Sequence, residues 1–555
     1  MRTDLAIVGG NIFDGVRDAP FRGAVLIRGD RIEAVVPGDG ARACEGAARV
    51  IDAGGRLVMP GFFDSHVHLI MAGVYHENPS LLTCASAREC AEAVKRAADG
   101  AGGRSSAPTG AGAGDWVFGF GWYPVFWEDK AFPDRAALDR LFPDRPVLLV
   151  DAEAHGVWVN SVALVQAGVT KDTPDPVGGE ILRRADGEPT GVLLETAAGL
   201  ATRLAFDLPP EKEKAFIRSY MRSAAAYGIT SINDVMPYFH GDIGSLSVYS
   251  EMDRAGELRV RIHAAPDLLG DLDKVLEDQR RYGSDRLRVA SVKAFLDGVA
   301  STHTAAMLED YADAAGVRGC ALFDWDAIRR AVPEAHRRGL SVKLHTCGDA
   351  SLRFGLDCFE EAVRLHGPGR ARHTLEHCEV VDAADIPRFG ALGVIPSVQP
   401  EHIALTQTFA ANPYRTVLGE ARAMHAWPLR SLLASAGALA FGSDCPVVDD
   451  NPFLEIYRAV TRVHNDGEPR GGWNPAEKLT LAEALRMYTW GSAYAAGREH
   501  ELGTLEAGKF ADIAIMDRDL FAASVEEIRE ARVDCTIMGG RVVFERQQSG
   551  VRPMV

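Results

Sequence analysis

Apolar and polar positions along the chain follow two rhythms. Over residues 5–53, short apolar runs are cut by turns. Leu5-Ala6-Ile7-Val8 runs into Gly9-Gly10, and Ala24-Val25-Leu26-Ile27 is separated from Ile32-Glu33-Ala34-Val35-Val36 by Arg28-Gly29-Asp30-Arg31. Two apolar runs around a glycine-bearing turn predict a β-hairpin. The far end repeats the rhythm: Ile513-Ala514-Ile515-Met516, then residues 533–538, then Gly539-Gly540-Arg541-Val542-Val543-Phe544. Neither end is long enough to bury a core of its own. The two are therefore expected to combine, residues 1–60 with 498–555, into one composite β-sandwich.

Residues 61–497 read differently. Strand-like runs at 147–150, 229–235, 289–295, 341–345, 373–377, 394–398 and 439–443 alternate with helix-like runs at 161–167, 211–227, 325–338, 351–365 and 429–436. Repeated βα alternation predicts an α/β protein with a parallel sheet, and a closed (β/α)8 TIM-like barrel is the leading arrangement. A doubly wound open sheet would carry an early phosphate-cradling glycine loop, and GGNIFDG at 9–15 lacks that spacing. An elaboration around residues 98–208 interrupts the alternation. It starts with a glycine- and alanine-rich loop at 98–114 and continues through an aromatic stretch holding Trp122, Tyr123, Phe126 and Trp127.

Composition narrows the function. The chain has 555 residues, 47% of them hydrophobic and 25% charged, and a formal net charge of -17. That charge argues against a nucleic-acid partner. Nine scattered cysteines without a CxxC pair fit a reducing compartment. The first apolar run is short and broken by glycine, unlike a signal peptide, and no run approaches the ~18 apolar residues of a membrane span. The expectation is a cytoplasmic protein acting on a small molecule, with no membrane or nucleic-acid partner and a homodimer left open.

The candidate chemistry lies where strand-like runs end, because barrel active sites sit at the C-terminal ends of their strands. His66 and His68 are two apart, and on an extended strand they project from one face. Lys293 lies among apolar residues in Arg288-Val289-Ala290-Ser291-Val292-Lys293. Its ammonium has no lone pair for a metal; either it reaches solvent, or CO₂ converts it to a carbamate. His345 and His377 each end a strand-like run, and Asp444 follows the apolar run that ends at Gly442-Ser443. Cys347, Cys378 and Cys445 sit near three of these residues, as soft ligands or as core fillers. His155 is either a substrate contact or a turn residue, and Trp122 is either a pocket wall or part of the elaboration's core.

The ordered series HxH, Lys, His, His, Asp, with the segments MPGFFDSHVHL, GFGWYPVFW, HGVWVNSVAL, VKAFLDG, LHTCGDA, RHTLEH, FGSDCPV and GTLEAGKFADIAI, resembles the amidohydrolase superfamily. More narrowly it resembles amidohydrolase family 3, the YtcJ-like branch that includes N-substituted formamide deformylases. The resemblance implies two Zn ions per chain. His66 and His68 would hold one, His345 and His377 the second, with a carbamylated Lys293 between them and Asp444 as ligand and general base. It also implies hydrolysis of a C–N bond in a small amide, N-formyl or cyclic amide substrate. The alternatives are a mononuclear hydrolytic deaminase, with Glu376 or Asp349 as proton shuttle, and an ester or lactone hydrolase.

Overall fold

The computed structural model describes residues 3–38, 45–100, 116–239 and 241–546, with Phe126 described by its backbone alone. The Phe126 side chain and most of the 98–114 loop lie outside the described residues.

Eight parallel strands carry the candidate site: β1 (Phe62–Val67), β2 (Ile229–Val235), β3 (Arg261–Ala265), β4 (Ser291–Phe295), β5 (Ser341–Thr346), β6 (Thr374–His377), β7 (Ile395–Val398) and β8 (Ala440–Phe441). They fall into two sheets. One runs β1-β2-β3 and ends on the short strand Leu287–Val289; the other runs β4 through β8 in order. Backbone bonds join the sheets at both edges. Ala290 N–H donates to Ala264 O (2.9 Å) and Lys293 N–H to Pro266 O (2.8 Å). On the other side Asp444 N–H donates to His66 O (2.7 Å) and His68 N–H to Cys445 O (3.1 Å).

Apart from the half-buried Ser341 that opens β5, these strands are buried along their whole length, as parallel strands covered by helices must be. Alternation then sorts the side chains. In β5, Val342 and Leu344 enter the main apolar core, while Lys343 and His345 occupy the opposite face. The helices supply the matching apolar stripes. Trp325–Arg337 starts at Asp324, whose carboxylate accepts from the N–H groups of Asp326 and Ala327, and it buries Ile328, Val332 and Ala335 at helical spacing.

Strands from both chain ends share one eight-stranded sheet, with Leu57–Pro60 between Leu5–Ile12 and Ile513–Met516. Its core is Ile7, Val25, Ile27, Val58, Ile513, Ile515 and Ile537. The elaboration forms a further five-stranded sheet, from Val117–Trp122 to Pro189–Glu195 and Gly179–Arg183. Its aromatics close a separate core around Trp122, Trp127 and Trp158.

One buried ion pair ties the terminal sheet to the parallel strands. On β3, Arg261 Nε and Nη2 donate to Asp512 Oδ2 (2.7 Å) and Oδ1 (2.9 Å), and the guanidinium lies 3.8 Å over the Phe510 ring. Removing one partner of such a pair strands a buried charge, at a cost of about 3–5 kcal/mol. Asp512→Ala is therefore expected to lower the thermal midpoint markedly, and Asp512→Ala with Arg261→Met to recover most of the loss. Differential scanning fluorimetry of the two variants checks this.

Candidate metal centre

The site is built at the ends of β1, β4, β5, β6 and β8. Asp444 lies at its centre. Its Oδ1 is 3.3 Å from His66 Nε2 and 3.4 Å from His68 Nε2, and its Oδ2 is 3.8 Å from His402 Nε2 and 3.9 Å from His377 Nδ1. Ligand atoms of His66, His377 and Asp444 lie within 4.8 Å of one another. The His345 and His377 rings are 4.2 Å apart.

Local backbone conformation puts these groups there. By strand alternation Glu376 points inward and His377 outward. His377 instead adopts φ 72°, followed by Cys378 at φ 49°, and this turn brings its imidazole back to the site. Asp444 likewise sits at φ 58°. Left-handed residues other than glycine carry strain and persist where the surroundings fix them. The β8 end is fixed by Asp64, whose carboxylate accepts from His66 N–H (3.1 Å), Ser443 N–H (3.0 Å) and Ser443 Oγ–H (2.6 Å). Gly442 lets β8 approach this closely, since a Cβ there would sit 2.5 Å from His66 N.

Glu376 orients His66. Its Oε2 lies 2.6 Å from His66 Nδ1, and its other oxygen accepts from Lys343 Nζ (3.2 Å) and Thr374 Oγ1. Burial disfavours its charge, but Lys343 and His66 outweigh that and hold the carboxyl well below its usual range. The carboxylate fixes the Nδ1–H tautomer and leaves His66 Nε2 as a free acceptor, the usual arrangement behind a metal-ligating histidine. Burial, then the Lys293 ammonium, pushes His66 down to about 4 and His345 well below its ordinary value. His377 is also lowered, by burial and then by His345. The imidazoles are neutral at neutral pH, the form that binds metal.

Several buried polar atoms find no hydrogen-bond partner among the described residues: both nitrogens of His377, Lys293 Nζ, His402 Nε2 and Asp444 Oδ1. Orphaned groups of this kind cost free energy unless something satisfies them. A divalent cation fits the donor set of imidazoles and a carboxylate. Lys293 is wholly buried, and burial lowers its pKa to about 8.

The remaining sequence candidates fall into place around this centre. Cys378 and Cys445 pack in the main core, and Cys378 Sγ–H donates to Leu375 O at 3.2 Å. Cys347 instead stands 3.4 Å from His345 Nε2. Trp122 is buried in the elaboration's core, with its Nε1–H on Leu149 O (2.9 Å), and it also walls a cavity of about 890 Å³. Tyr123, Glu153, His155, Glu195 and Thr304 line the same cavity. The His155 ring is 5.5 Å from that of His345, and its Nδ1 is 2.6 Å from Glu195 Oε2. Sequence reasoning missed His402 and Glu379, which bond each other at 3.1 Å. The signal for His402 was present: it follows β7 by four residues, at Gln399-Pro400-Glu401-His402.

Comparison with known proteins decides the family. The amidohydrolase family model matches residues 49–544. The chain belongs to the amidohydrolase family. It is accordingly a hydrolase acting on carbon–nitrogen bonds. It is 30% identical to the protein LONG AFTER FAR-RED 3 of Arabidopsis thaliana, over 98% of this chain and 91% of that one. It is 29% identical to an N-substituted formamide deformylase of Arthrobacter pascens, over 98% and 99%. Among solved structures it is similar to an uncharacterized metal-dependent hydrolase from Pyrococcus furiosus, with a TM-score of 0.70, 27% identity and coverage of 93% and 99%. No helix among the described residues is long and apolar enough to cross a membrane.

Burial works against a charge on His155, yet Glu195, with Asp151 and Glu153 behind it, raises its pKa to about 9. The stabilisation from this pair is complete below the unfolded-state value near 6.5 and is lost as pH rises through about 9. In a histidine NMR titration, His155 is expected to titrate near 9 in the native protein. In Glu195→Gln its midpoint falls by more than one unit.

Proposed function

We propose that the chain hydrolyses the C–N bond of a small amide, N-formyl or cyclic amide, with Asp444 as general base. The observation that supports this most is the buried Asp444 carboxylate ringed by His66, His68, His377 and His402 within 3.9 Å. In this reading His66, His68 and Asp444 would hold one zinc ion, and His345 and His377 a second. Lys293 would stand between them as a carbamate: its buried, unpartnered amine has a far larger neutral fraction at neutral pH than an ordinary lysine, and only the neutral amine adds CO₂. Cations held there would supply an acidified water and an electrophile for the scissile carbonyl.

The chain's own groups do the rest. Asp444 takes a proton from the attacking water and delivers it to the leaving nitrogen. Glu376 keeps His66 in one tautomer and orientation. His155, cationic because of Glu195, faces the substrate cavity beside His345 and steadies a carbonyl oxygen or other electron-rich substituent. Trp122 and Tyr123 supply apolar wall for the part of the substrate beyond the scissile bond. The deaminase alternative needs a free acidic group beside His345. Glu376 is engaged by His66, Lys343 and Thr374, and Asp349 accepts from Leu308 N–H (2.8 Å).

We also read the two parallel sheets as halves of one closed (β/α)8 barrel. The backbone bonds at both seams and the parallel register throughout support it. The terminal strands, 1–60 and 498–555, would then be one attached unit, and residues 98–208 an insertion over the barrel mouth.

Asp444→Asn should reduce turnover by about 10²–10⁴-fold, followed as amine released from a panel of N-formyl, N-acyl and cyclic amides. Unchanged turnover would remove Asp444 from its role. Chelation should abolish the activity and Zn²⁺ should restore it. Protein equilibrated with ¹³C-bicarbonate should show a carbamate NMR resonance that Lys293→Ala lacks.

A further inference from the structure

Cys347, His377 and Glu379 form a second group of potential ligands beside the first. Their sulfur, nitrogen and oxygen atoms lie within 4.8 Å of one another, and all three residues are buried. Cys347 follows β5 and is held by a turn. Its N–H donates to Asp297 Oδ1 (3.1 Å), and Gly348 N–H donates to Asp297 Oδ2 (2.9 Å). A Cβ at position 348 would sit 2.0 Å from Ala306 O, so this turn is fixed in place. Glu379 is oriented from behind by His402 Nδ1 (3.1 Å) and the Tyr414 hydroxyl, as carboxylate ligands commonly are. His377 brings two nitrogens with no partner among the described residues, on a side chain only 3% exposed. His345 Nε2 is within 3.4 Å of the Cys347 sulfur.

We infer that the second cation position of this site is thiolate-ligated, with Cys347 and Glu379 joining His345 and His377 as ligands. The inference rests on the reading that the centre holds metal. Imidazole, thiolate and carboxylate donors suit Zn²⁺, and the sulfur biases the position toward zinc, cobalt or cadmium and away from Mg²⁺ or Ca²⁺. Binding would displace the thiol proton, since the thiolate is the ligand form. The first position, from His66, His68 and Asp444, has no sulfur. The two positions therefore differ in softness.

The test is metal content together with the electronic spectrum of the cobalt-loaded full-length protein. Apoprotein made by chelation is reloaded with Co²⁺ alone, for the native chain, Cys347→Ser and Glu379→Gln. The native protein is expected to bind two equivalents and to show a near-ultraviolet sulfur-to-cobalt charge-transfer band. Cys347→Ser is expected to lose that band and about one equivalent. Glu379→Gln should weaken the same equivalent at least tenfold while keeping the band at saturating Co²⁺. A native protein that binds Co²⁺ without the band, or a Cys347→Ser variant that keeps the band and full stoichiometry, overturns the thiolate position and leaves the metal centre standing. A native protein that binds no Co²⁺ overturns both.

Discussion

A single buried carboxylate among four buried imidazoles is the constraint on which the site depends. Asp444 Oδ1 and Oδ2 are shared out among His66, His68, His377 and His402. A neutral imidazole such as His66 or His377 turns either its N–H or its lone pair toward that carboxylate, and the tautomer decides which. Glu376 makes the choice for His66, and Glu379 holds the Nδ1 side of His402. The carboxylates behind the histidines thus set the protonation pattern of the ring in front.

Much of this was legible in the chain. The residues that could act lie at the ends of apolar runs, and the fold puts the ends of β1, β4, β5, β6 and β8 together, so His66, His68, Lys293, His345, His377 and Asp444 converge. The helix Leu429–Ala436 and the strand Ile229–Val235 have the bounds that the hydrophobic pattern predicts. What escaped was structure whose stability comes from distant partners. β3 reads as Arg-Ile-His-Ala-Ala, two polar side chains in five residues, and the Asp512 carboxylate, far along the chain, with Asp285 O makes Arg261 acceptable in a buried strand. β8 shrinks to Ala440–Phe441, and the chain turns at Asp444 (φ 58°) to build the site.

Local backbone geometry separates the three thiols. Adjacency in sequence to His377 and Asp444 made Cys378 and Cys445 look equivalent to Cys347. Strand alternation and the turns at φ 49–72° send Cys378 and Cys445 into the apolar core. Cys347, two residues beyond His345, falls on the same side as that histidine. Glu379, two beyond His377, is brought to meet it. The i, i+2 relation that joins His66 to His68 therefore recurs at β5 and β6, with a sulfur and a carboxylate as the second members.

The shared terminal sheet imposes an order on synthesis. Leu57–Pro60, which leads directly into β1 and His66, pairs on one side with Leu5–Ile12 and on the other with Ile513–Met516. A ribosome makes the first pairing within sixty residues and the second only some 450 residues later. Between those two points the lead-in to the site carries an open strand edge, the kind that pairs with other chains. Ile513–Met516 covers it. Shelter of that edge by Ile513–Met516 and the docking of the adjacent Asp512 on Arg261 therefore fall together, late in synthesis.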